Sequence, residues 1–67
     1  MNKFIERLKQ LRTEKNLSQA QLAKEIDVTQ PAIAYWETGK KIPSAQAIIT
    51  LAQYFGVSTD YLLGLED

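Results

Sequence analysis

The sequence predicts a small all-α domain, a compact five-helix bundle occupying residues 1–67 as a single unit. Three observations lead there. Apolar residues recur at helical spacing along most of the chain, as in Phe4, Ile5, Leu8 and Leu11. Ser18, Thr29, Ser44 and Ser58, side chains suited to open a helix, each stand just before such a stretch. Gly39, Gly56 and Gly64 stand just after one, where a left-handed residue closes a helix. A chain this short buries only about 60% of its unfolded surface. Its net stability is therefore on the order of 3–10 kcal/mol.

Helix 1 begins at Asn2 or Lys3 and runs to Lys15, with Asn16 as the left-handed residue that ends it. Arg12 follows Leu8 by four and sits at the edge of the apolar face, where it must snorkel or find an anion. Ser18 opens helix 2, and Gln21 three residues on completes a capping box. Leu22, Ala23 and Ile26 form its apolar stripe, and Ala23 suits a close helix crossing. Asp27 and Val28 leave room for only a very tight turn before Thr29 caps helix 3. Pro31 is harmless in that helix's opening turn, because its missing N–H would have no intrahelical partner. Helix 3 runs to Thr38. Ile33 and Trp36 face inward, while Gln30, Pro31, Ala34 and Tyr35 point the other way. Trp36 reads as structural, packing helix 3 against helices 4 and 5. Helix 4 follows Ser44 with Ala45, Ile48, Leu51, Ala52 and Phe55 inward, and Ser58 caps a short helix 5, TDYLL. Tyr54, Tyr61 and Leu65 have no core position in this pattern.

Composition narrows the function classes. There is no Cys and no His, which removes the commonest metal ligands and the usual acid–base residue. No nucleophile constellation appears, and the glycines stand at helix ends rather than in a phosphate loop. The expectation is a non-enzyme with no cofactor and no metal. The charged N-terminus does not read as a signal peptide, no apolar run reaches membrane-spanning length, and a cytoplasmic home is expected. Net charge is zero, yet it is unevenly distributed. Residues 1–42 hold eight bases against five acids, a balance of +3, and residues 43–67 hold three acids and no base, a balance of −3. Such asymmetry suggests a basic side facing a polyanion.

The interval between helices 2 and 3 has the spacing of a helix-turn-helix. The stretch SQAQLAKEIDVTQPAIAYWETG, residues 18–39, resembles that motif in the lambda repressor and Cro type (Xre-like) regulators of bacteria and phage. The resemblance covers Phe4 to Leu63. It rests on Ser18, Gln19, Leu22 and Ala23, then Trp36, Glu37 and Gly39, then Lys40, Lys41, Pro43 and Ser44, and last Leu51, Ala52, Gly56, Val57 and Ser58, in order and at the family's spacings. Asp27 departs from the pattern, which usually has glycine there. A left-handed Asp27, held at some cost in strain, is expected instead.

The resemblance implies a sequence-specific regulator of transcription that binds double-stranded DNA, a repressor acting as a dimer on a pseudo-palindromic operator. The first half of the reading helix meets base edges in such proteins, which points here to Gln30, Pro31, Ala34 and Tyr35. Gln30 suits adenine, the apolar pair suits a thymine methyl, and Tyr35 offers one hydrogen bond. Phosphate contacts are expected from Gln19, Thr29, Thr38, Lys40 and Lys41. The family's pairing of an arginine with a glutamate falls on Arg12 and Glu37. A weak homodimer contact through the C-terminal helices falls on Tyr61 and Leu65. The zero net charge also keeps open a protein-interaction or antitoxin-type module built on the same fold, and LLGLED could open a linker to a longer repressor.

Overall fold

The computed structural model describes residues 2–67. It contains α1 (Asn2–Glu14), α2 (Gln19–Glu25), α3 (Gln30–Thr38), α4 (Ala45–Phe55) and α5 (Thr59–Leu63), with no strand among the described residues. The four later helices open as expected. The Ser18, Thr29, Ser44 and Ser58 hydroxyls accept the N–H of Gln21, Ala32, Ala47 and Tyr61, and Gln21 returns the capping-box bond to the Ser18 N–H.

Left-handed residues close the helices. Asn16 (φ 57°) follows α1, and the Leu17 N–H reaches back to the Arg12 carbonyl. Asp27 (φ 60°) does the same for α2, with the Val28 N–H on the Ala23 carbonyl at 2.9 Å. This six-to-one bond is the Schellman closure, so Asp27 does in the tight turn what Gly56 does after α4. An Asp tolerates the position at a cost that glycine escapes and a β-branched residue feels in full. Asp27→Val is therefore expected to lower stability by about 1–2 kcal/mol, whereas Asp27→Gly should match or exceed the parent. Urea denaturation of the two variants checks both.

The core is Phe4, Leu8, Leu22, Ala23, Ile26, Ile33, Trp36, Ile48, Leu51, Ala52 and Leu62. Ile5, Leu11 and Phe55 are half-buried around it. Two packing expectations need correction. Ala45 is exposed and Ala47 half-buried instead, because a side chain in a helix's first turn leans toward the N-terminus and off the helix end. Trp36 is buried, but α3 lies chiefly against α2 and α1 rather than against α4 and α5. The indole shares a cleft with Phe4, Ile5 and Pro43.

The ends of the sequence meet where α1 packs on α5. Arg7 lies 4.1 Å over the Tyr61 ring and donates to the Tyr61 carbonyl and, at 2.6 Å, to that of Glu66. Gly64 (φ 84°) approaches α1 so closely that a Cβ there would lie 2.6 Å from that of Lys3. Leu65 remains 73% exposed. No helix among the described residues is long and apolar enough to cross a membrane.

Candidate nucleic-acid interface

The opening turn of α3, held by the Thr29 cap and Pro31, fixes which side chains leave the surface. At 3.6 residues per turn, positions 30, 31, 34, 35 and 38 form one stripe. Gln30, Pro31, Tyr35 and Thr38 on it are exposed, and Ala34 is half-buried. On the opposite side Ile33, Trp36 and Glu37 are buried. Anchors and outward groups thus separate cleanly on a helix of nine residues.

Glu37 is the one buried charged side chain among the described residues, at 4% exposure. Arg12, 15% exposed, meets it fork to fork, Nε to Oε2 at 2.6 Å and Nη2 to Oε1 at 3.0 Å, while Nη1 donates to the Leu17 carbonyl at 2.7 Å. The hydrogen bond to Glu37 raises the Arg12 guanidinium above its ordinary range, although burial acts in the opposite direction. This pair binds α1 to α3. The network continues outward. Glu37 Oε1 also accepts from Gln19 Nε2 at 3.0 Å, and Gln19 Oε1 accepts from Gln30 Nε2 at 2.8 Å. Four side chains from three helices form one chain of hydrogen bonds from the interior to the exposed tip of α3.

Other expected contact residues lie around the same stripe. Lys41 Nζ stands 5.0 Å over the Tyr35 ring, and the Lys41 N–H donates to the Tyr35 carbonyl. Lys40 is exposed. The Thr29 hydroxyl accepts from the Ala32 N–H at 3.3 Å, which leaves its proton free to donate. Thr38 differs: its proton is given to the Ala34 carbonyl at 2.9 Å, so it must rotate before it can donate to a phosphate. The half-buried amide of Gln19 joins Glu37 to Gln30. One N–H of that amide remains uncommitted by this count. The Gln19 link was legible only as two amides on adjoining helices; nothing in their spacing specified a bond. Nothing in the sequence marks Arg7 out: a basic residue one turn before Leu11 gives no hint that it will seize the Tyr61 and Glu66 carbonyls. Among the described residues no cluster of acidic side chains could hold a metal ion.

Comparisons with known proteins agree with this architecture. A helix-turn-helix family model matches residues 8–62. The chain is 44% identical over 64 residues to the HTH-type transcriptional activator BcrR of Enterococcus faecalis, covering 96% of this chain and 31% of that protein. It is 36% identical over 64 residues to the uncharacterized HTH-type transcriptional regulator YobD of Bacillus subtilis, covering 96% of this chain and 57% of the relative. An uncharacterized HTH-type transcriptional regulator of Methanocaldococcus jannaschii is 36% identical over 61 residues, covering 91% of this chain and 92% of its own length. The chain thus spans from about a third to a little over half of the bacterial relatives described here. No solved structure matches significantly. With its five helices, its capped turn and the buried Arg12–Glu37 tie behind α3, the chain belongs to the helix-turn-helix family.

Proposed function

We propose that the chain binds double-stranded DNA in a sequence-specific manner through α3 and regulates transcription, as a repressor that binds a pseudo-palindromic operator as a dimer. The observation that carries this reading is the outward stripe of Gln30, Pro31, Ala34 and Tyr35 on a helix anchored from behind by Ile33, Trp36 and Glu37. A helix of this width fits the major groove, where each base pair shows its own donor and acceptor pattern. Gln30 addresses adenine, Pro31 and Ala34 a thymine methyl, and Tyr35 a base or phosphate oxygen. Lys40, Lys41, Thr29 and the second N–H of Gln19 flank them as phosphate donors, and Thr38 joins after a hydroxyl rotation.

The direct readout is modest, so a second copy or the shape of the DNA supplies much of the specificity. A body of 28 × 23 × 20 Å covers one half-site, and half-sites one helical turn apart lie about 34 Å from centre to centre. The exposed Leu65 beside the Arg7-covered Tyr61 is the surface proposed for the contact between copies. As a repressor, such a dimer would act by occluding a promoter.

Selection of bound sequences from a random duplex pool tests the reading. The expected result is a palindromic consensus, with affinity falling steeply as salt rises. Gln30→Ala should erase the preference at one base pair per half-site, worth about 1–3 kcal/mol. Failure to bind any duplex at low salt would instead favour the protein-interaction module, which the zero net charge suggests.

A further inference from the structure

We infer that Glu37, which has almost no surface of its own, is a positioning residue that decides which base Gln30 accepts, acting through Gln19. The inference rests on the reading of Gln30 as a base contact and deepens it. An ionised carboxylate paired with arginine offers only lone pairs. Arg12 holds both Glu37 oxygens in the fork described above, so Glu37 Oε1 can only accept from Gln19. The Gln19 amide must then turn its NH2 inward, at 3.0 Å, and its carbonyl outward. That carbonyl in turn can only accept, and takes an N–H from Gln30 at 2.8 Å. The polarity set at the ion pair passes along two amides without freedom to reverse.

The consequence falls on the exposed end. Gln30 has one N–H committed to Gln19, which leaves its Oε1 and a single N–H to face a base. One acceptor beside one donor complements the N6 amino group and N7 of adenine. Guanine shows two acceptors there, N7 and O6, and would need both N–H groups of Gln30 at once. An untethered glutamine could offer both; a tethered one cannot. The relay therefore acts chiefly by excluding guanine.

The test compares duplexes carrying adenine or guanine at the position that Gln30→Ala identifies, using the full chain and its selected consensus. In the parent, adenine should be preferred by about tenfold or more. Gln19→Met removes the amide yet leaves Arg12 and Glu37 paired, and is expected to narrow the ratio to about threefold or less, with the preferences elsewhere unchanged and a modest fall in Tm from the lost bond to Glu37. Loss of a phosphate contact alone would weaken both duplexes equally and leave their ratio as it was. Glu37→Gln supplies a second arm: an amide there can present N–H to Gln19, reverse the relay and raise guanine relative to adenine. Should Glu37→Gln fail to fold, Gln19→Met decides alone. A ratio that persists in Gln19→Met while Gln30→Ala abolishes it overturns the relay and leaves the base contact standing. No change in base preference with Gln30→Ala sinks both.

Discussion

Arg12→Ala is expected to lower stability by about 3–5 kcal/mol, because it strands the Glu37 carboxylate in the interior. For a domain whose net stability is on the order of 3–10 kcal/mol, that is enough to leave a large fraction unfolded. The loss has three local parts. Glu37 is deprived of two charge-assisted bonds, the Leu17 carbonyl loses its side-chain donor, and α1 is untied from α3. Urea denaturation read by circular dichroism would register it as a lower midpoint with little change in slope. The companion double variant, Arg12→Met with Glu37→Leu, removes both charges together. Replacing a buried pair by apolar side chains of similar size is often close to neutral, so much of the loss should be recovered. A single variant as stable as the parent would show that the pair bears little of the fold.

Ile33→Ala should cost about 2–5 kcal/mol through the cavity left at a fully enclosed position. At about 4–8 °C per kcal/mol for a domain of this size, Tm should fall by roughly 10 °C or more. Gln30→Ala, three residues earlier on the other side of the helix, should change stability by no more than about 0.5 kcal/mol. Thermal melts of the two variants side by side measure how completely the anchoring and outward sides of α3 are separated. Comparable losses from both would mean that Gln30 supports the fold.

Much of the fold could be read from residue order because its signals are local. Four caps, the Asn16 and Asp27 turns and the inward stripes of α1 to α3 depend on neighbours within a few positions, and all stand where the sequence places them. The exposure of Gln30 and Tyr35 follows from the same periodicity, and Tyr35 is 37% exposed. What could not be read depends on how helices meet. The exposed Ala45 obeys the local period of α4 but lies where the first turn leaves the bundle. The lodging of Trp36 beside α1 depends on the path of the loop through Pro43. The bonds from Gln19 to Glu37 and Gln30 require α2 and α3 to be placed to within an ångström or so, which no spacing rule specifies.

The grip of Arg7 on the far end of the chain links the fates of two distant segments. With five residues, α5 is much too short to persist alone, so its order is lent by the helices it packs on, α1 and α4. Unwinding of the first turns of α1 should therefore release α5 in the same event. Amide protons of Leu62 to Leu65 would then exchange with solvent at rates that track those of α1, while α2 and α3 remain protected.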